Sequence, residues 1–185
     1  MINDILSDVE GRMQKSIKAL QKDFSTIRTG RANPAMFEGL KVSVYGSEMP
    51  LNQVATISIP EPRLVVIQPW DRSNLGEVEK AILKSDLSIT PSNDGNLIRL
   101  QIPELTEERR KEYVKLAKGK AEECKVAIRN VRRDGNEMVK SLEKDKEITE
   151  DESKGTQDKI QKLTDKYIDE TQKLTENKEK EILSI

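Results

Sequence analysis

The sequence predicts an α+β chain of two parts, a long antiparallel three-helix bundle with a small β/α/β domain inserted into it. Three observations carry this. All seven prolines (Pro34, Pro50, Pro60, Pro62, Pro69, Pro91 and Pro103) lie between residues 34 and 103, and the flanking stretches hold none. Proline removes a backbone donor and clashes with the preceding turn, so the flanks are free to be helical while the middle reads as strands and turns. Both flanks also repeat apolar residues at steps of three and four. Finally, charged and apolar residues each make up 35% of the 185 residues, with only six aromatics. That is too apolar for a disordered chain and too charged for one thick core, so slender, solvent-rich layers fit best.

Residues 2–28 read as one amphipathic helix, with Ile5, Val9, Met13, Ile17, Leu20, Phe24 and Ile27 on a single face. The run from Thr29 and Gly30 to Pro34 stops it. In the insert, Lys41 to Tyr45 alternates, Gly46-Ser47 turns, and Val54 to Ile59 alternates again. Leu64 to Gln68 is a buried type of strand, and Leu97 to Ile102 is a last one, entered by a turn at Asn93-Asp94-Gly95. Between them Leu75, Val78, Ile82 and Leu83 give a short helix capped by Ser73.

The longest helix covers 106–146, a rod of roughly 60 Å. Val114, Ala117, Ala121, Cys124, Ile128, Val131, Gly135, Met138 and Leu142 form its seam over about four heptads. Lys144 to Ile148 turns the chain, and Thr149 with Glu152 forms a capping box for a helix over 150–183. That helix offers Ile160, Leu163, Tyr167, Leu174 and Ile182, with Thr171 standing where an apolar residue is expected. Three stripes and a short last loop argue a three-helix bundle of residues 1–29 and 106–185, with 30–105 inserted. The chain crosses between the parts near 30–34 and 103–105. Both crossings carry proline, so a hinge is expected at Gly30, Arg31, Pro34, Pro103 and Leu105.

Histidine is absent, which excludes Ser-His-Asp and Cys-His catalysis and most zinc sites. Glycine-rich phosphate loops are missing. A calcium loop around Gly95 would need Gln101 to chelate at its last position, so a hairpin turn is the better reading. No catalytic residue, metal or cofactor is expected. A single cysteine, Cys124, falls on the seam and suits core packing in a reducing cytosol. The N-terminus carries acids without an apolar run, and no stretch is long and apolar enough for a membrane helix, so a cytoplasmic protein without membrane contact is expected.

The net charge of −1 hides any local patch. On the long helix Arg129, Arg132 and Arg133 stand at i, i+3 and i+4, flanking the seam positions Ile128 and Val131. Lys118 and Lys125 extend the Arg132 flank at heptad steps. No acid stands three or four residues from Arg129 or Arg132, while Arg133 reaches toward Glu137. Guanidinium groups without counterions suit phosphate, since they bind its oxygens in pairs. A second basic group, Arg28, Arg31, Arg109, Arg110 and Lys111, lies near the crossings. Solubility alone is the competing reading of such a helix face. Gly135 on the seam suits close helix approach, whereas Gly119 has no reason in the sequence.

Several stretches resemble the bacterial ribosome recycling factor family, over essentially the whole chain. They are Ile27-Arg28-Thr29-Gly30-Arg31-Ala32, Ala81 to Leu87, Leu105 to Lys111, and above all Val126-Ala127-Ile128-Arg129-Asn130-Val131-Arg132-Arg133-Asp134 with the Lys146-Glu147-Ile148 turn. The resemblance implies an L-shaped molecule similar in size to transfer RNA. It also implies a non-enzymatic factor, monomeric, that binds the large-subunit ribosomal RNA between the subunits. With elongation factor G and GTP it would split post-termination ribosomes, releasing messenger and deacylated transfer RNA. Arg132, Arg129 and Arg133 match positions that hold ribosomal RNA, and Arg28, Arg31 and Arg110 match supporting contacts. Gly135 and Thr171 depart from the alanine and aliphatic residue expected there. A general RNA-binding protein and a helical adaptor remain the alternatives.

Overall fold

Helix α1 (Ile2–Ser25), the hairpin strands β1 (Lys41–Val44) and β2 (Ser47–Pro50), and strands β3 (Ala55–Glu61) and β4 (Leu64–Pro69) open the chain. Helix α2 (Leu75–Lys84), strands β5 (Pro91–Asn93) and β6 (Ile98–Gln101), and helices α3 (Glu107–Lys144) and α4 (Glu150–Leu183) complete it. This computed structural model describes residues 1–87 and 89–184. It divides into a helical unit, Met1–Ile27 with Glu108–Ile185, and an insert unit, Arg28–Glu107.

In the helical unit α3 runs antiparallel to both other helices. Arg12 and Ser16 of α1 meet Asp134 and Cys124, and Glu143, Cys124 and Lys118 of α3 meet Ser153, Thr171 and Glu179 of α4. Helix α1 fills its face of the core with the large side chains Met13, Ile17, Leu20 and Phe24, while α3 intersperses the small Ala117, Ala121, Cys124 and Gly135 with Ile128, Val131 and Val139. Helix α4 contributes a hydroxylated stripe: Ser153, Thr156, Thr164, Thr171 and Thr175 are all buried. The four threonine hydroxyls donate to the carbonyls four residues back, at 2.7–2.8 Å, so each meets the core with its methyl group. Thr171 is therefore a satisfied member of the seam and not a gap in it.

Two details of α3 differ from expectation. The seam passes from Gly135 to Val139, which is fully buried, and leaves Met138 exposed. A straight helix turns every 3.6 residues, so a second step of four restores the face that strict heptads lose. At Gly135 an added Cβ would lie 2.7 Å from Val9 Cγ2 and 3.2 Å from Ile160 Cδ1. Glycine here is what lets the three helices meet, where alanine was expected.

The α3–α4 turn closes through two bonds, Glu147 N–H to Leu142 C=O at 2.9 Å and Lys146 N–H to Glu143 C=O at 3.0 Å. Lys146 takes the left-handed conformation (φ +57°) that this cap requires. The capping box follows, with Thr149 Oγ1 accepting from Glu152 N–H and Glu152 Oε2 accepting from Thr149 N–H.

The insert unit holds a β1–β2 hairpin and a four-stranded antiparallel sheet in the order β3-β4-β6-β5. Val65 and Ile67 on the central β4, with Ile98 and Leu100 on β6, are fully buried and form its core with Val78 and Ile82 of α2. β2 and β5 were not foreseen; each carries a proline and lies largely exposed, as edge strands do. The Asn93–Gly95 turn is a hairpin, with Asp94 Oδ1 accepting from the amides of Asn96 and Leu97 at 2.9 Å. Ser73 does not cap α2. Asp71 takes that role for the short 3-10 turn Arg72–Asn74, accepting from both the amide and the hydroxyl of Ser73, and α2 continues from it.

Candidate nucleic-acid interface

The arginines of α3 owe their placement to the seam between them. Ile128 and Val131 are buried, which turns Arg129 and Arg132 to half-buried flanks and Arg133 to solvent. Among the described residues none of the three makes a hydrogen bond or ion pair, and the expected reach of Arg133 toward Glu137 is not made. The one acid inside the run 126–136, Asp134, is turned to the other flank, where Arg12 of α1 holds it at 2.7 Å. The basic residues around this site thus divide into engaged and free ones. Lys125 donates to Gln172 Oε1 at 3.1 Å and stands 3.6 Å from Glu122, and Lys118 lies 3.9 Å from Glu179. These lysines belong to the α3–α4 seam and do not extend the free cluster.

Lys140, one heptad beyond Arg133, is exposed and without an ion pair among the described residues. Heptad spacing from Arg133 was the signal for it in the sequence. Lys15, Lys18 and Lys22 likewise line the outer face of α1, away from its apolar stripe, and make no ion pair among the described residues.

The second basic group is distributed over both units. Arg28 and Arg31 belong to the insert, and Arg109, Arg110 and Lys111 to the helical unit. Arg28 lies beyond α1, which ends at Ser25 where the hydroxyls of Ser25 and Thr26 turn back to Lys22 and Asp23 carbonyls. Its guanidinium donates to the carbonyls of Asp86 and Leu87 at 3.3 and 3.4 Å. Arg31 is exposed and already engaged. Arg110 is half-buried, with its Nε shielded from solvent and lacking a partner. Of the proposed hinge residues, Gly30 has φ +76° and Pro34 begins the 3-10 turn Pro34–Phe37, while Pro103 and Leu105 lie in the irregular link between β6 and α3.

Cys124 is no part of the site. Its thiol sits in the bundle core, 3.5 Å from Thr171 Oγ1, and burial pushes its pKa up. No described helix is long and apolar enough to cross a membrane, and no described group of His, Cys, Asp or Glu could hold a metal ion.

What remains is an uncompensated guanidinium cluster on a rigid rod, which suits a phosphate backbone more than a base-reading groove. The profile of the family described as Ribosome recycling factor matches residues 20–183. A ribosome-recycling factor of Carboxydothermus hydrogenoformans is 62% identical over the full length of both chains, and that of Syntrophomonas wolfei is 57% identical over the same span. A solution structure of the ribosome recycling factor, 45% identical, superposes with a TM-score of 0.78 over 100% of this chain and 98% of the other. A second structure, also 45% identical and fully covered in both chains, has a TM-score of 0.66; it describes the T. thermophilus ribosome recycling factor and the E. coli elongation factor G bound to the E. coli post-termination complex. With the helical unit, the insert and the arginine run all in place, the chain belongs to the ribosome recycling factor family.

Proposed function

We propose that this chain is a cytoplasmic, non-enzymatic translation factor that binds the post-termination ribosome and, with elongation factor G and GTP, separates its subunits. The observation that carries the reading is the cluster of Arg129, Arg132 and Arg133, three neighbouring cations of one helix with no counterion among the described residues. These arginines grip the phosphates of large-subunit ribosomal RNA, with Arg28, Arg31 and Arg110 supporting. The relative described together with elongation factor G on a post-termination complex supports the same partners here. The segments near 30–34 and 103–105 serve as a hinge between the grip and the insert. Small-angle scattering that fits one fixed arrangement, free and ribosome-bound, would remove the hinge.

Light scattering tests the function directly. Mixing post-termination ribosomes with the protein, elongation factor G and GTP lowers the scattering only when all three are present. Arg132→Ala weakens ribosome binding and lowers the slope of log affinity against log salt by about one, with helicity unchanged. Equal affinity of the two proteins at every salt concentration would remove the arginine grip.

A further inference from the structure

Within the helical unit the charges are sorted by helix. Helix α4 carries ten acids to seven lysines, so its outer side offers phosphate no net attraction. Residues 11–22 of α1 carry four cations and no acid. Arg12 is engaged with Asp134 at 2.7 Å, which leaves Lys15, Lys18 and Lys22. These three stand at i, i+3 and i+7, on one exposed ridge of about 10 Å opposite the buried stripe of Val9, Met13, Ile17, Leu20 and Phe24. None has an ion pair among the described residues. The helix dipole favours cations in a last turn, which accounts for Lys22 alone. Lys15 and Lys18 lie ten and seven residues before the end of α1 at Ser25, beyond the reach of that effect.

The ridge does not face the way the α3 arginines face. On α3 the flank of Arg132 also carries Lys118 and Lys125, whose partners Glu179 and Gln172 are on α4. The opposite flank carries Asp134, which meets α1. The arginines therefore lie on the α4 side of α3, while the lysines of α1 point away from the core that all three helices share. A single phosphate strand laid along the rod meets one group or the other. The chemistry of the ridge also selects its occupant. Ala19 and Gln21 stand among the lysines, and among the described residues no large apolar side chain of α1 is exposed. A protein partner needs an apolar anchor to desolvate, whereas a phosphate backbone needs only charge. We infer that Lys15, Lys18 and Lys22 hold a second segment of ribosomal RNA, separate from the one that α3 grips, so that the rod is held from two sides. This contact rests on the ribosome binding proposed for the chain.

Lys15→Gln, Lys18→Gln and Lys22→Gln together, in the full chain, keep helix propensity and remove the charge. Binding to purified post-termination ribosomes is expected to weaken about tenfold, and the slope of log affinity against log salt to fall by about two, with melting unchanged. Arg132→Ala then lowers the slope by about one more, as an independent and additive step. An unchanged slope for the lysine variant, whatever its melting, overturns the second contact. To identify the partner, p-benzoylphenylalanine replaces Ala19, exposed within the ridge, and in a second chain Val126, exposed one turn before Arg129. Irradiation on the same ribosomes is expected to link the two probes to different nucleotides of ribosomal RNA. A protein or transfer RNA adduct at Ala19, no adduct there while Val126 labels ribosomal RNA, or the same nucleotides at both positions overturns the ridge. Ribosomal RNA at Ala19 with none at Val126 keeps the ridge and rejects the arginine grip. No adduct at either position removes the ribosome-bound reading and the ridge with it.

Discussion

In the helical unit α3 and α4 turn many small or hydroxylated residues inward, among them Ala117, Ala121, Gly135, Thr156, Thr164 and Thr171, between the larger Ile128, Ile160 and Tyr167, whereas the insert closes around Val65, Ile67, Ile98 and Leu100. The bundle gains its cohesion from close backbone approach at its small residues together with large side chains from all three helices. The insert gains it from apolar volume packed between a sheet and one short helix. Added volume should therefore hurt the first unit, and removed volume the second.

The largest expected effect is in the insert. Ile67→Ala removes three carbons from a fully buried position on the central strand and costs about 3 kcal/mol, read as a lower urea midpoint for the insert. A loss below about 1 kcal/mol would mean that the sheet relaxes into the space, and the contrast between the units would fail. Gly135→Ala comes next. Its methyl gains about 1 kcal/mol of helix propensity but must displace the Val9 and Ile160 side chains, for a net loss of about 1–2 kcal/mol. In a Val9→Ala background that penalty shrinks, and a double-mutant cycle reads the coupling. The same substitution at Gly119, where nothing lies within 4 Å of an added Cβ, raises stability by about 1 kcal/mol. Two glycines of one helix would then respond with opposite sign, and equal signs would refute the role given to close approach.

The smallest effect concerns acid. The Asp94 carboxylate accepts from the Leu97 and Asn96 amides and faces Arg99, which lowers its pKa below the ordinary carboxylate value. A depressed folded pKa gives stability that is complete above the unfolded value, near about 3.9, and lost as pH falls through the folded one. Asp94→Asn should therefore flatten the acid limb of the insert's unfolding while leaving the helical unit alone. Parallel acid limbs for the two proteins would remove Asp94 as a contributor.

The proline distribution and the apolar steps were enough to read the bundle and the insert, and the lack of an acid one turn away marked Arg129 and Arg132, though not Arg133, as free. Other features were hidden for physical reasons. A threonine scores as a break in an apolar stripe, yet its hydroxyl can return to the carbonyl one turn back and leave a methyl facing inward, as at Thr164 and Thr171. The drift of the seam from Gly135 to Val139 depends on a helix staying straight over many turns. Which cations are engaged depends on partners far along the chain: Lys118 and Lys125 meet α4, and Arg12 claims Asp134 from another helix altogether. The strands β2 and β5 carry proline and few buried residues, so only their pairing partners identify them.

The interrupted order of the helical unit has a consequence for its birth. Met13, Ile17, Leu20 and Phe24 lie on α1, yet the helices they pack against begin only after the 80 residues of Arg28–Glu107. At about 5–20 residues per second, translation needs roughly 4–16 s to deliver even the start of α3. During that interval Met13, Leu20 and Phe24 have no helical partner on their own chain, and the insert can close on itself once β6 is made, before α3 and α4 follow. The nascent protein thus completes its middle before its beginning, and its first helix is the segment that a cellular holdase has most reason to cover.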